Sequence, residues 1–148
     1  MLNTDHTHLG YRISTDLGKM DLDAIHAYLS RSYWSPGVSK EIVARALRGA
    51  LCFGLFKDGA QVGLARVITD RATFAYLSDV YVLEEHRGLG LAQWMLRVIL
   101  AHAELQGLRR FMLATKDAHS LYARYGFTRL SSPEMFMEIM GPGMSKPD

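Results

Sequence analysis

The stretch His86-Arg87-Gly88-Leu89-Gly90-Leu91-Ala92 stands between two patterns of different period, and its reading decides the fold. Before it, Phe74-Ala75-Tyr76-Leu77-Ser78-Asp79-Val80-Tyr81-Val82-Leu83 is rich in aromatic and β-branched residues and long enough for a central strand. After it, Leu91, Trp94, Met95, Val98, Ile99 and His102 recur at helical spacing and mark one face of a helix. The stretch is therefore expected as a strand-to-helix turn. Its two glycines let backbone N–H groups approach a ligand closely, and the helix N-terminus adds partial positive charge. That combination suits a phosphate or pyrophosphate, with Arg87 as a further cation. Glycines are equally what a tight turn needs for steric reasons alone.

Working outward, Leu51 to Lys57 reads as a strand, Asp58-Gly59 as a hairpin turn and Gln61 to Ile68 as the returning strand. Asp70-Arg71-Ala72 is a second turn, so three antiparallel strands precede the Gly-rich stretch. A dinucleotide-binding fold would place its glycines after the first strand of a βαβ unit. The third glycine of G-x-G-x-x-G would also fall at Gln93. Both points argue against that fold.

Upstream, Leu9 to Thr15 is expected as the first strand, and Asp21 as the N-cap of a helix carrying Leu22, Ile25, His26 and Leu29. Ser39 is a second N-cap, opening a helix with Ile42, Val43, Ala46 and Leu47 on its apolar face. Between the two helices, Tyr33-Trp34-Ser35-Pro36-Gly37 is a loop whose aromatics either close over a substrate or seal the edge of the core. Downstream, Gly107 is the expected C-cap of the long helix, and Arg109 to Ala114 a strand parallel to the one before the turn. Adjacent strands in such a unit splay in some folds and open a slot. Lys116-Asp117 starts a helix through Leu121, Tyr122 and Tyr125, closed by Gly126. Phe127 to Leu130 and Met135 to Ile139 are expected as the last strands.

With 148 residues, 49% hydrophobic and 22% charged, the chain has the composition of one globular domain, placed at residues 9–140 between flexible termini at 1–8 and 141–148. A net charge of +2 with scattered basic residues argues against nucleic acid. His6-Thr7-His8 lacks the further close ligands a metal needs, so no metal is expected. The single Cys52 lies in an apolar run and reads as a small core residue rather than a nucleophile. No apolar run approaches the ~20 residues of a membrane span, and residues 1–6 lack the charged start and apolar core of a signal peptide. The expectation is a cytoplasmic protein with no membrane partner.

Two segments carry a resemblance to a known family. Arg87-x-x-Gly90-x-Ala92 resembles the acyl-CoA signature [R/Q]-x-x-G-x-[G/A] of the GNAT superfamily of N-acetyltransferases, and it stands between strand and helix as in that family. Leu121-Tyr122-Ala123-Arg124-Tyr125-Gly126-Phe127 is similar to the family's L-Y-x-x-x-G-F segment. The resemblance implies an α/β (mixed α+β) fold with a mixed, largely antiparallel sheet of six or seven strands and helices on both faces.

It also implies transfer of an acetyl group from acetyl-CoA to a primary amine of a small molecule or peptide, without a covalent enzyme intermediate. The alternative is a non-catalytic acyl-CoA-binding or regulatory domain of the same fold. By the same resemblance, backbone N–H groups of Arg87, Gly88, Leu89, Gly90, Leu91 and Ala92 would hold the cofactor's pyrophosphate. Val80, Tyr81 and Val82 would run beside its pantetheine arm, with a strand N–H polarising the thioester carbonyl. Tyr122 would protonate the leaving thiolate, a phenol of pKa ~10 being a reasonable donor. Where many members have an Asn that contacts the cofactor or a water, this chain has Thr115. Many also carry a Glu on the central strand, where this chain has Tyr76 and Leu77.

The strand's one acid is Asp79, expected on the face opposite Val80 and Val82, either as the general base on the acceptor side or as a paired structural carboxylate. Glu84, Glu85 and His86 read as solvent-facing, and His119 as a minor alternative base. Tyr33, Trp34 and Asp79 are the expected acceptor-binding residues, with Phe136 a further one from the C-terminal strands. Many members of the family pair as homodimers.

Overall fold

A computed structural model describes residues 3–141. One six-stranded sheet, in sequential order, runs through β1 (Asp5–His8), β2 (Tyr11–Ser14), β3 (Leu51–Lys57), β4 (Ala60–Thr69), β5 (Phe74–Val82) and β6 (Arg110–Leu113). Neighbours are antiparallel except β5 and β6, which are parallel. The helices are α1 (Leu22–Leu29), α2 (Lys40–Arg48), α3 (Leu91–Ala101) and α4 (His119–Ala123).

Local chemistry accounts for most boundaries. Asp21 and Ser39 cap α1 and α2 by accepting from Ala24 N and Ile42 N at 3.1 and 3.2 Å. Asp58-Gly59 turns β3 into β4 with both residues at positive φ, the backbone a tight two-residue hairpin demands. Leu9-Gly10 does the same between β1 and β2. Asp5–His8 is consequently an exposed edge strand, where the polar composition had pointed to a flexible terminus, and the first strand expected at 9–15 begins after the turn. Residues 142–148, the rest of the expected C-terminal tail, lie outside the described residues.

The sheet separates two cores. On one face α3 buries Leu91, Trp94, Met95, Leu96, Val98 and Ile99 against Ile13, Phe53, Val67, Ala75 and Leu77. On the other, Ile25 and Leu29 of α1 and Val43 and Leu47 of α2 cover Cys52, Leu64 and Tyr81. Each such aliphatic side chain, withdrawn fully from water, contributes about 2 kcal/mol. Cys52 is buried, and desolvation pushes its thiol up to about 11, consistent with a core residue.

Three expectations are corrected. Helix α3 ends at Ala101, well before Gly107, because His102 turns extended and starts a 3-10 turn over Ala103–Leu105. Neither Phe127–Leu130 nor Met135–Ile139 joins the sheet, and Pro133–Met135 forms another 3-10 turn. The sheet therefore closes at β6 among the described residues.

Candidate active site

The site begins where β5 parts from β6. Their pairing runs from Phe74↔Arg110 to Leu77↔Leu113 and then stops, while β5 continues to Val82. From Ser78 onward β5 is paired on the β4 side alone, and its other edge faces a cleft. The pairing ends because β6 itself ends at Leu113, so the expected slot would lie along the unpaired edge of β5.

Within the same stretch β5 carries a bulge. Arg66 stands opposite Ser78 and Leu64 opposite Tyr81, so Ala65 alone faces the two residues Asp79 and Val80. Asp79 takes a left-handed backbone, φ 51°. The extra residue reverses the alternation: Ala75 and Leu77 pack toward α3, and after the bulge so do Val80 and Val82. Tyr81 turns to the α1–α2 side, where it stacks on Tyr28 at 3.9 Å and 8°. Burial raises the Tyr81 phenol pKa far above its usual range. At the bulge the neighbouring backbone comes close, since a Cβ on Gly63 would lie 2.7 Å from the Tyr81 carbonyl oxygen.

Asp79 accordingly lies opposite Val80 and Val82, as expected, and its carboxylate is fully engaged. Arg66 Nε donates to Oδ2 at 2.7 Å and the Trp34 indole N–H donates to Oδ1 at 2.8 Å. The Arg66 and Asp79 side chains are 15% and 8% exposed, so this is a buried ion pair. Of the two readings, the paired carboxylate is the one the contacts describe. A cavity of about 90 Å³ opens beside it, between Leu29, Val38, Val43 and Leu47.

Trp34 holds the loop between α1 and α2 against β5, and Tyr33 carries that loop across the cleft. Its ring packs edge-on against Trp34 at 5.0 Å, and its hydroxyl accepts from Lys116 N at 3.4 Å. Tyr33 remains 57% exposed, so it does not plug the core. Tyr122, on α4, is buried in the α3-side core against Phe127. Burial, followed by the nearby Tyr33, raises its phenol pKa. Its hydroxyl makes no hydrogen bond among the described residues and is not one of the fully buried polar atoms, so the proton-bearing tip stays accessible. Thr115 Oγ1 accepts from Ala118 N at 3.0 Å and thereby caps the approach to α4, leaving its own O–H as a donor.

The strand leads into the Gly-rich turn. Gly88 and Gly90 have φ of 81° and 76°, and Gly90 is the N-cap of α3 with no side-chain cap. The first N–H groups of an eleven-residue helix are thus left without an internal partner, and a Cβ at Gly88 would meet nothing within 4 Å. Leu89 is exposed, while Leu91 and part of Ala92 anchor the helix start in the core. Arg87, expected as a further cation, keeps its side chain 52% exposed, with Nη2 3.8 Å from Glu84 Oε1. Its Nε donates to the Val82 carbonyl at 2.8 Å and Nη2 to the Tyr28 hydroxyl at 3.0 Å, so the guanidinium braces the turn. Of the other acids and bases, Glu84 pairs with Arg31 at 3.1 Å, His86 bonds Tyr11, and His119 is exposed. No set of three metal-ligating side chains occurs among the described residues.

Three contributors escaped the sequence reading: Arg66, Tyr28 and Gly63. A lone arginine inside Leu64-Ala65-Arg66-Val67 was a usable signal, because a charge in a buried strand requires a partner. The partner could be identified only once β4 and β5 were in register. A surface depression of about 450 Å³ around Tyr11, Arg12, Phe56 and the Asp58-Gly59 turn includes none of the expected site residues.

Residues 22–127 match the profile described as the acetyltransferase (GNAT) family. A Gibberella zeae protein provisionally named an acetyltransferase, FG08082, is 38% identical over 77% of this chain and 76% of its own. The crystal structure of xcc2953 from Xanthomonas campestris pv. campestris, provisionally assigned to the GNAT family, superposes with a TM-score of 0.89. It is 50% identical, and the match covers 93% of this chain and 96% of that one. A Clostridium acetobutylicum acetyltransferase solved with acetyl-CoA shares the fold at a TM-score of 0.64 and 16% identity, over 88% and 94% of the two chains. By profile, relative and fold together, the chain belongs to the acetyltransferase (GNAT) family.

Proposed function

We propose that the protein transfers an acetyl group from acetyl-CoA to a primary amine of a small molecule or peptide, by direct attack. The observation that carries this reading is the free edge of β5 over Ser78–Val82, running straight into the unpartnered N–H groups at the start of α3. An amide-bearing arm fits an open strand edge, and a pyrophosphate fits a helix N-terminus whose glycines keep the backbone uncovered. Acetyl-CoA supplies an acetyl group activated as a thioester.

The chain's own residues do the rest. Backbone N–H groups from Gly88 to Ala92 hold the pyrophosphate, with Arg87 acting through its brace on Val82 rather than as a direct cation. Val80, Tyr81 and Val82 align the pantetheine arm, and an N–H of this strand polarises the thioester carbonyl. As the new N–C bond forms and the C–S bond breaks, the electron pair leaves on sulfur, which takes the proton from Tyr122 Oη. Burial keeps that phenol protonated at neutral pH. The amine must also lose a proton before or during attack. Both Asp79 oxygens already accept from Arg66 and Trp34, so this reading assigns that proton to water and makes Asp79 a positioning residue. Tyr33 and Trp34 form the aromatic wall of the acceptor side.

Turnover tests the proposal. Purified protein supplied with acetyl-CoA and a panel of primary amines is expected to release free CoA thiol in step with one acetylated amine detected by mass. Binding of acetyl-CoA with no thiol release against any amine would instead support the non-catalytic alternative.

A further inference from the structure

The Gly-rich turn is tethered on both faces of the sheet, and the tether on the α3 side comes from β2. Gly88 and Gly90 bring conformational freedom as well as uncovered N–H groups, so the donors from Gly88 to Ala92 converge on one anion only if the turn is anchored. The last backbone bond to the sheet is Leu83 N to Val62 O, at 2.8 Å. The bonds from His86 N to Leu83 O and from Arg87 N to Glu84 O close the 3-10 turn on itself without fixing it to the sheet.

Beyond Leu83, three side chains reach elements other than β5 among the described residues. Glu84 accepts from Arg31 and Arg87 donates to Tyr28; both bonds are exposed and lie on the α1 side. The third is His86, expected in solvent but half-buried. Its Nδ1 and the Tyr11 hydroxyl share a hydrogen bond of 2.8 Å across 75 residues of sequence, and the rings meet edge to face at 5.6 Å and 88°. Tyr11 is 7% exposed, packs in the α3-side core with Ile13, and carries Lys57 Nζ over its ring at 4.8 Å, so its hydroxyl is a fixed point. His86 immediately precedes Arg87 and so sets where the chain enters the turn.

We propose that Tyr11 and His86 are positioning residues for the cofactor: their bond fixes the entry of the turn and so aims the N–H groups from Gly88 to Ala92. The inference rests on the reading of that turn as the pyrophosphate site. Both residues act through the backbone, and the α1-side bonds stay in place when this one is lost, so a weakened grip is expected rather than an abolished one.

Calorimetry with acetyl-CoA tests the pair. Tyr11→Phe and His86→Ala should each raise Kd about tenfold, the size of one well-made hydrogen bond, and the double variant should raise it no further. His86→Asn, whose amide can bond the same hydroxyl, should return to within about threefold of the wild type, and only while Tyr11 is present. In turnover with an accepted amine, the preference for acetyl-CoA over S-acetylpantetheine, which has the arm but no pyrophosphate, should fall by the same factor as the affinity. An unchanged Kd in either single variant, additive losses in the double variant, or equal losses with both thioesters would overturn the proposal. A wild type that uses the two thioesters equally well removes the pyrophosphate reading itself, and this inference with it. A wild-type preference for acetyl-CoA that the variants keep removes the inference alone.

Discussion

The Trp34 indole donates to Asp79 Oδ1 at 2.8 Å, across 45 residues of sequence. This bond ties the loop between α1 and α2 to the bulge of β5, and the other carboxylate oxygen is held by Arg66 at 2.7 Å. One side chain therefore fixes a strand, its neighbour and the loop between α1 and α2. The bulge makes this possible: Leu77 and Asp79 are two residues apart, yet Leu77 packs under α3 and Asp79 points to the α1–α2 side.

Removing the charge of Asp79 is expected to be costly. Asp79→Asn keeps the shape and tolerates the left-handed backbone, but leaves Arg66 without its counterion at 15% exposure. The expected loss is about 3 kcal/mol of unfolding free energy, the low end for breaking a buried pair because some water reaches the guanidinium. Denaturant unfolding measures it. The double variant Arg66→Met/Asp79→Asn should lose less than the sum of the two single changes, because it leaves no orphaned charge.

Tyr122→Phe removes the assigned proton donor and little else, since the hydroxyl makes no hydrogen bond among the described residues. The expected result is a fall in kcat of about 10²–10⁴-fold, with acetyl-CoA affinity and thermal stability nearly unchanged. Burial raises the phenol pKa, so the wild-type rate should not decline from loss of this proton until well above neutral pH. Equal kcat values for the two proteins would remove Tyr122 from the mechanism.

His102 gives the fold a dependence on pH. It is 7% exposed; its Nδ1 accepts from Glu104 N at 3.1 Å, and its Nε2 is buried without a partner among the described residues. Desolvation lowers its pKa below 6.5, so the unfolded chain takes up the proton first. The contribution of neutral His102 to stability is therefore complete above pH 6.5 and is lost as pH falls from there through the depressed folded value. His102→Asn retains an acceptor for Glu104 N and should flatten this dependence in thermal melts between about pH 6.5 and 5. An unchanged slope would assign the effect to other groups.

The parts of the fold written in local chemistry were legible. Asp21, Ser39 and Asp58-Gly59 declared their caps and turn, and the apolar runs at 51–57 and 74–83 declared strands. Burial of Leu91, Trp94, Met95, Val98 and Ile99 followed the helical spacing. What escaped depended on partners remote in sequence. β1 is polar on every residue, and only its pairing with β2 makes it a strand. Met135–Ile139 has strand chemistry but no neighbouring strand among the described residues to complete it. The bulge at Asp79 exists only as a mismatch between β4 and β5, so strict alternation along β5 could not reveal it. For the same reason the residues expected on β5 and the turn follow one another along its open edge, while the bonds from Arg87 to Val82 and Tyr28 had no signal in the sequence.

The central claim is that acetyl-CoA lies along the open edge of β5 and ends at the start of α3. Hydrogen–deuterium exchange with and without saturating acetyl-CoA tests it directly. The account predicts slowed exchange at Val80–Val82 and Gly88–Ala92, with the β1–β2 and β3–β4 turns unchanged. Protection confined to the depression around Tyr11, Arg12 and Phe56, or no protection at the α3 start, would contradict it.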